Sequence, residues 1–418
     1  MSDYLPQESR SLTKKMNAYL PQESRSLTKK MNAYLPPEVI TLILLSLPVE
    51  SAVKCTAVCK SWYALIKDPS FISTHLQRAA SLQDGLLLLK FIEDSEAERY
   101  VYHLYRDNDA FEEYKQLFLP FKLSREPSIV GSCNGLICLA RVEEDAWNIV
   151  LWNPSIHKHF FLPEPDLPAA CEVYFFHTIG FGFDSVSNDY KVLLILSDGE
   201  TEDFNDVWLF SLNRRSWKRL TEVSPINGAS SIYIYHENGN KVFVNGVLHY
   251  GMFSRMIFAF DISTEKFFVI NVPETLAQFE NRMRVIKYEE SIALVAWGNS
   301  PGHKELWVMK EYGVDSSWTK VLHLVDENEE LNLGKVVQVF DVRKEGKLFF
   351  SVSRESRDHE HNCELAVLDL NCHQREHQMQ QLKRLGGTNC YHYLFFGSYV
   401  ESLVLLDKGE EHAVVGAV

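Results

Sequence analysis

Residues 34–76 read YLPPEVITLILLSLPVESAVKCTAVCKSWYALIKDPSFISTHL, and this stretch decides the fold of the first part of the chain. Prolines occur at positions 36, 37, 48 and 69. Proline is tolerated in the first turn of a helix, where its missing N–H would be unpaired, but not in a helix interior. Between the prolines, apolar residues recur at spacings of three and four. The stretch therefore predicts three short helices.

So few residues cannot bury this much apolar surface within themselves. Two interpretations follow from the composition alone. The stretch is either a small helical subdomain packed on the rest of the chain, or it keeps one face for another protein.

The order of short motifs within this stretch resembles an F-box. Leu-Pro-Pro-Glu is followed by Leu-Pro, Cys-Lys-x-Trp, Leu-Ile and Pro-x-Phe. Several anchors in one order are a more specific signal than a lone motif. The resemblance implies binding to the Skp adaptor of an SCF ubiquitin ligase, and through it to a cullin. The adaptor-binding residues that it implies are Leu35, Pro36, Pro37, Glu38, Ile43, Leu47, Pro48, Val53, Cys59, Lys60, Trp62, Leu65, Ile66, Pro69 and Phe71.

Charge and cysteine content limit the class of protein. The chain has 418 residues and a formal net charge of −14, so a surface that tracks nucleic-acid phosphates is not expected. Its eight cysteines are scattered, and the N-terminus has no apolar signal core. The longest apolar stretch is too short to span a bilayer. These features predict a reduced cytoplasmic or nuclear protein that binds neither membrane nor nucleic acid.

Residues 4–18, YLPQESRSLTKKMNA, recur unchanged as residues 19–33. The repeat is too short for a solenoid unit and has no periodic apolar face. Residues 1–33 are therefore predicted to be a disordered tail, followed by the F-box at 34–80 and a larger domain at 83–410.

The larger domain repeats a unit of alternating apolar residues, a polar turn and an aromatic strand. The unit begins at Val101, Leu151, Val207, Ile257, Leu306 and Leu365, with successive separations of 50, 56, 50, 49 and 59 residues. A period of about 50 residues is typical of kelch-like propellers. The fold class predicted is mainly β with a small all-α N-terminal domain: a three-helix F-box and a kelch-like β-propeller of six blades. The last apolar run, Glu401–Leu406, is predicted to close the ring as a strand, and an irregular β-sandwich is the alternative.

Three further motifs resemble the plant F-box-associated domain, and the chain is similar to S-locus F-box proteins. The first motif is Leu151–Ser155 (LWNPS) followed by Phe161–Pro163 (FLP). The second lies in Gly180–Val192, where Gly180–Asp184 (GFGFD) and Asn188–Val192 (NDYKV) carry the resemblance, and the third is Val244–His249 (VNGVLH). The resemblance implies a domain that binds a protein substrate for ubiquitination. S-locus members recognise pistil ribonucleases in self-incompatibility, and other relatives control immune-receptor levels.

Three features imitate sites of chemistry. Gly131-Ser132-Cys133-Asn134-Gly135 resembles a nucleophile elbow, but the apolar run after it predicts a strand instead of the helix that an elbow needs. The cysteines and histidines between positions 359 and 392 lack the spacing of a known zinc finger. Trp217 and Trp318 follow equivalent turns, which favours core positions over binding platforms. The sequence therefore predicts no catalytic residue, metal or cofactor.

The leading hypothesis is a non-catalytic substrate receptor of a ubiquitin ligase. A glycan-binding, lectin-like F-box receptor and a propeller enzyme are the alternatives. Acidic residues in loops are the candidate contacts to a basic protein substrate, because complementary charge raises association rates; the plain alternative is that they are merely solvated. These candidates are Asp198, Glu200, Glu202, Asp203, Asp206, Glu164 and Asp166.

Overall fold

Proline-bounded helices begin the computed structural model, and antiparallel strands make up most of the rest. The structure describes residues 35–81, 85–94, 98–143, 146–167, 176–197, 206–221, 241–250, 256–279, 283–297, 303–325, 335–355, 361–371, 383–390 and 392–408. The duplicated segment, with its predicted disorder, lies outside these residues.

Over the described residues 35–81 the chain forms four helices, one more than the three that the sequence predicts. The helices are α1 (Pro37–Leu45), α2 (Val49–Cys55), α3 (Lys60–Ile66) and α4 (Pro69–Ser81). Pro69 ends the third helical run and also begins α4, because proline fits the first helical position. Asp68 caps this new helix, since its Oδ1 accepts a hydrogen bond from the Ser70 backbone N–H at 2.8 Å.

The described strands form five sheets. The strands are β1 (Leu86–Asp94), β2 (Arg99–Arg106), β3 (Glu113–Leu117), β4 (Ser128–Cys133), β5 (Leu136–Glu143), β6 (Ala146–Asn153), β7 (Lys158–Phe161), β8 (Phe176–Asp184), β9 (Asp189–Ser197), β10 (Asp206–Ser211), β11 (Ser216–Leu220), β12 (Lys241–Val244), β13 (Val247–Tyr250), β14 (Met256–Asp261), β15 (Lys266–Asn271), β16 (Met283–Tyr288), β17 (Ser291–Trp297), β18 (His303–Met309), β19 (Trp318–Val325), β20 (Lys335–Arg343), β21 (Lys347–Glu355), β22 (His361–Asp369), β23 (Lys383–Cys390) and β24 (His392–Tyr399).

Four of these sheets have four strands each, in the orders β24-β1-β2-β3, β4-β5-β6-β7, β8-β9-β10-β11 and β12-β13-β14-β15. The fifth contains β16–β19 and β20–β23, joined by a short parallel pairing between β16 and β20. The first strands of successive groups, from β4 through β24, contact one another in a closed cycle. The domain is a propeller-like β fold and not a two-layer sandwich. Because the β16–β20 pairing merges two groups into one sheet, the number of blades stays a prediction.

The periodic apolar runs of the sequence are confirmed as strands. The six predicted unit starts, from Val101 to Leu365, all fall in the third strand of a four-strand group. Tight hairpin turns set this arrangement. Asn134 and Gly135 between β4 and β5 both have positive φ, at 49° and 82°, and so do Asn245 and Gly246 between β12 and β13. Asn-Gly suits such turns, whose twist matches that of the flanking strands.

The ring is closed by a different segment from the one that the sequence predicts. β24 pairs with β1 along Leu86–Ile92, so the C-terminal strand completes the first group. The predicted closing strand, Glu401–Leu406, is not a strand. It lies after β24 as a buried turn segment, with Leu403 and Leu405 inside the core that also holds the helices.

Buried Asn153 explains why this tail needs no strand partner. Its Nδ2 donates to the carbonyl oxygens of Ser402 and Val404 at 3.0 and 2.8 Å. The side-chain amide therefore satisfies backbone groups that a strand would otherwise pair. Gly135 allows this close approach, because a Cβ there would lie 2.1 Å from Ser402 Oγ.

The helices and the strands share one hydrophobic core. α2 contacts the short 3-10 turn Pro154–Ile156 that follows β6. Leu44 and Ala52 of the helices belong to the same buried cluster as Leu151 of β6 and Leu403 of the tail. The N-terminal helices are therefore fixed on the propeller and are not a separate body on a tether.

Candidate functional site

Helix α1 has two apolar faces, and only one of them is covered. Ile40 and Leu44 are buried against the other helices, at the one-turn spacing of an inward face. Val39, Leu42 and Ile43 are 38%, 61% and 40% exposed. We call these three residues the α1 face. A group of large apolar side chains that a fold leaves in water marks an interaction surface.

Local interactions hold the α1 face in a regular helix. Pro37 occupies the first helical position after Pro36. At the other end, the Ser46 hydroxyl donates to the Ile43 carbonyl at 2.7 Å. The His75 ring of α4 is buried and hydrogen-bonds through Nε2 to the Leu47 carbonyl at 2.8 Å, and burial lowers the pKa of His75 below its ordinary value. These bonds define where α1 stops and α2 begins.

The structure divides the predicted adaptor-binding residues into three groups. Pro36, Pro37, Glu38, Ile43, Pro48, Lys60 and Pro69 are exposed. Leu35, Leu47, Val53, Cys59, Trp62 and Leu65 are partly buried. Ile66 and Phe71 are buried.

The last two residues need a correction. Ile66 and Phe71 pack in the shared core of helices and propeller, so in this structure they offer no surface to a partner. Trp62 is intermediate, because its ring is partly buried against the same core. Conversely, the most exposed apolar side chain of the helices, Leu42, is missing from the predicted set. A helical wheel that separates the buried face from its opposite would have found it.

The predicted acidic contacts are not brought together as one site. Asp198, Glu200, Glu202 and Asp203 lie outside the described residues. Asp206 is buried and ion-paired with Arg219, so it links β10 to β11 and does not offer its carboxylate to a substrate, which corrects that prediction. Glu164 and Asp166 are exposed on either side of the buried Pro165. These two remain predicted substrate contacts.

The motif Gly180–Val192 forms a joint between strand groups. Asp184 is buried and accepts hydrogen bonds from the Ser187 and Ser263 hydroxyls at 2.6 and 2.7 Å. Lys191 Nζ lies 3.0 Å from Asp184 Oδ2 and 3.1 Å from Glu265 Oε1. Burial alone would raise the pKa of Asp184, but these hydrogen bonds outweigh it and hold the pKa well below its ordinary value. The network ties β8–β11 to β12–β15 and is structural.

The motif Val244–His249 also serves the fold. His249 is fully buried; its Nδ1 lies 3.1 Å from the Val242 carbonyl and its Nε2 lies 2.8 Å from the Tyr312 hydroxyl. Burial lowers the pKa of His249 to about 4. The imidazole is therefore neutral at physiological pH and pairs two neighbouring strand groups.

The elbow-like sequence forms a β-hairpin. β4 and β5 pair from Cys133 and Leu136 outward, with Asn134 and Gly135 as the turn. Burial raises the pKa of Cys133 to about 12, so its thiol stays protonated. The predicted glycine turn into a strand is confirmed, and this geometry lacks the helix of a nucleophile elbow.

The two tryptophans lie at equivalent places, as predicted. Trp217 Nε1 donates to the Pro163 carbonyl at 2.7 Å, and Trp318 Nε1 donates to the Asn271 carbonyl at 3.0 Å. Trp217 is the second residue of β11 and Trp318 is the first residue of β19. Each therefore lies at the start of the outer strand of its group and bonds to the end of the preceding group. Both side chains pack against the hydrophobic core, which confirms the structural interpretation.

The histidines and cysteines that the sequence analysis weighed as metal ligands lie partly inside the described residues. Among the residues that the structure describes, no group of three or more histidine, cysteine, aspartate or glutamate side chains is placed to hold a metal ion. His359, Cys372, His373 and His377 of the set considered lie outside those residues. Cys363 is buried.

A cavity of about 1310 Å³ runs between the first strands of the groups. All six of these strands contribute to its wall: β4, β8, β12, β16, β20 and β24. The wall carries six lysine or arginine side chains and four acidic ones. This cavity was not predicted, because its lining residues come from six distant parts of the sequence.

Comparison with known proteins identifies both regions. The F-box-like family model matches residues 33–78, and the model of the F-box associated beta propeller domain matches residues 87–386. The chain is 31% identical over 306 residues to the F-box protein CPR1 of Arabidopsis thaliana, covering 68% of this chain and 71% of that one. It is 29% identical over 303 residues to the F-box protein At4g22390 of the same plant, covering 68% and 72%.

Solved structures give a weaker match. TolB from Acinetobacter baumannii aligns with a TM-score of 0.39 and 13% identity, over 72% of this chain and 67% of that one. A TM-score this low does not establish a shared fold. None of the described helices has both the length and the apolar character to cross a bilayer. The similarity to S-locus F-box proteins is not tested by these matches and stays a prediction.

Proposed function

Because the chain belongs to the F-box proteins with an F-box associated β-propeller domain, we propose that it is the substrate-recognition subunit of an SCF-type ubiquitin ligase. The helices dock on the Skp adaptor, and through it the chain joins a cullin. The propeller binds a protein substrate, and the assembled ligase transfers ubiquitin to that substrate. The protein acts in the cytosol or the nucleus.

The observation that carries this proposal is the α1 face. Leu42 and Ile43 lie in the segment that matches the F-box family, and they are exposed although they are large and apolar. Covering them by a partner removes that apolar surface from water, which is favourable by roughly 25 cal/mol per Å². A docked adaptor would therefore complete a core that the chain leaves open on this side.

The shared core of helices and propeller explains how such a receptor works without a catalytic residue. The helices are fixed to the propeller at Pro154–Ile156 and by the buried tail. A substrate held by the propeller thus keeps a defined position relative to the adaptor. Fixed proximity and orientation turn an encounter into a nearly unimolecular transfer.

The substrate surface is proposed only in part. Glu164 and Asp166 are exposed acidic side chains next to a stiff proline-rich turn, on a chain of net charge −14. Charges of this kind steer a basic protein partner and raise its association rate. Glycan binding and catalysis by the propeller stay alternatives that no contact among the described residues favours.

The test is calorimetric titration of the purified full chain with a purified plant Skp adaptor. The double variant Leu42→Glu, Ile43→Glu is expected to bind at least 30-fold more weakly, a loss of about 2 kcal/mol. Val186→Glu is the matched control, since Val186 is 84% exposed on the propeller and its replacement leaves binding unchanged. Unchanged affinity in the double variant would overturn the proposal.

A further inference from the structure

The cavity between the first strands is lined by more cationic than acidic side chains, although the whole chain is acidic. The whole chain has a net charge of −14. The cavity wall nevertheless carries more cationic than acidic side chains. The cations are Lys90, Arg141, Lys241, Arg284, Lys287 and Arg343, and the acids are Asp107, Glu290, Asp341 and Glu401.

Three of the cations already have carboxylate partners, which lie in the wall for Arg343 and outside the lining residues for Lys90 and Arg141. Arg343 Nη2 lies 2.6 Å from Asp107 Oδ2, and Arg343 Nη1 lies 3.7 Å from Asp341 Oδ2. Lys90 is paired with Glu126 at 3.3 Å, and Arg141 with Glu143 at 3.3 Å. These cations have carboxylate partners and need no ligand.

Lys241 and Lys287 differ from the others. Neither ammonium group makes a hydrogen bond or an ion pair with the part of the chain that the structure describes. Lys241 begins β12 and Lys287 lies near the end of β16, and these two strands contact each other in the wall. Both side chains line the cavity. Both lysines are partly buried, and Lys287 lies opposite Asp341 in the β16–β20 pair. Positive charge that is partly removed from water without a direct carboxylate partner is costly, so this arrangement favours the binding of an anion.

The electrostatics of neighbouring groups agree with this interpretation. Burial lowers the pKa of Lys241 to about 8, and the interaction with Cys138 opposes that shift. Burial likewise lowers the pKa of Arg284, close to the start of β16, to about 10. Asp341 has its pKa raised to about 6 by burial, although the charges of Arg343 and Lys287 act against the rise. The site would gain from a ligand that carries its own negative charge.

We propose that this cavity binds a small molecule with two or more phosphate or carboxylate groups, held by Lys241 and Lys287. The volume is ample for such a ligand, since small-molecule pockets usually measure roughly 300–1,000 Å³. Arg284 and Lys287 are three residues apart on β16, so their Cα atoms are roughly 10 Å apart along the strand. Cations at two levels of the cavity suit a multivalent anion better than a single small one.

This site is separate from the α1 face and from the exposed acidic turn, and the inference does not rest on adaptor binding. A bound anion would bridge the first strands of different groups and stabilise the ring from inside. A ligand that binds only the folded state raises the unfolding temperature as its concentration rises.

Titration of the full chain at constant ionic strength tests the proposal, with inorganic tripolyphosphate and citrate as separate probes of phosphate and carboxylate chemistry. At least one probe is expected to bind with a stoichiometry of one and to raise the thermal midpoint. Lys241→Met and Lys287→Met keep the apolar stem and remove the charge. Each is expected to weaken binding about tenfold, and the double variant to abolish it. Lys266→Met is the matched control, because Lys266 is exposed on the outer strand β15.

The thermal midpoint without probe shows whether the variants fold. Removing a lysine charge that has no carboxylate partner is expected to leave that midpoint unchanged or to raise it. A double variant that folds in this way and no longer binds the probe supports the site. Absence of binding of both probes to the unmodified chain would overturn the proposal. So would binding that the double variant retains, because the anion would then occupy another surface.

Discussion

Two runs rich in aliphatic residues differ in how far the fold buries them. The run Val39–Leu45 in α1 leaves Val39, Leu42 and Ile43 exposed. The run Leu86–Leu89 in β1 is buried completely, between β2 on one side and β24 on the other. A central strand has neighbours on both edges and both faces, whereas a helix on the outside of a domain has one face to bury. The difference separates the apolar residues that build the fold from those that the proposed adaptor would cover.

Placing a carboxylate in each run is the strongest way to test this difference. Leu88→Glu puts an unpaired charge into the propeller core, which costs several kcal/mol and is expected to prevent cooperative folding. Leu42→Glu puts the same group on the α1 face and is expected to change the free energy of unfolding by less than about 0.5 kcal/mol. Circular dichroism during thermal unfolding measures both. A Leu42→Glu variant as unstable as Leu88→Glu would show that α1 is core.

The buried tail provides the next largest effect. Deleting residues 400–418 keeps β24 but exposes the space filled by Leu403 and Leu405, and it removes the acceptors of Asn153. Two buried leucines contribute roughly 1.5–3 kcal/mol each, so for a chain of this length the thermal midpoint is expected to fall by about 5 °C. Deletion of residues 409–418, which keeps the buried tail, is the control. Equal midpoints for the two deletions would mean that the tail adds nothing to the joint between helices and propeller.

A smaller, pH-dependent effect is expected inside the propeller. The pKa of His249 is lowered from 6.5 to about 4 in the folded protein, so the unfolded chain binds more protons between these values. This contribution to stability is present above pH 6.5 and is lost as the pH falls towards 4, by about 3 kcal/mol in total. Urea unfolding at pH 7 and pH 4.5 measures the loss. His249→Gln, which does not titrate, is expected to lose less between the two pH values. An equal loss in both proteins would assign the acid sensitivity to other groups.

Much of this molecule could be predicted from local sequence. The prolines and apolar spacings mark α1, α2 and α3, and the period of about 50 residues marks the third strand of each group. The Asn134-Gly135 sequence also predicts the tight turn between β4 and β5. These features depend on residues close together in the chain. They are therefore visible without the fold.

The features that could not be predicted depend on distant residues. The tail at Glu401–Leu406 has the apolar pattern of a strand. Its carbonyl groups instead accept hydrogen bonds from the side chain of Asn153, some 250 residues earlier. Ile66 and Phe71 are buried in the cluster that joins helices and propeller, which the spacing of residues within one helix does not show. Lys241 and Lys287 belong to different strand groups, so only the closed ring makes them line one cavity.

Hydrogen–deuterium exchange of the full chain, with and without a saturating plant Skp adaptor, tests the central claim most directly. Amides that become buried or stabilised by a partner exchange more slowly. We expect added protection in Pro37–Leu45 and the loop to α2, and no change in the propeller strands β5, β9 and β17. Protection confined to the propeller, with none in α1, would contradict the division of the molecule into an adaptor-binding helical region and a substrate-binding propeller.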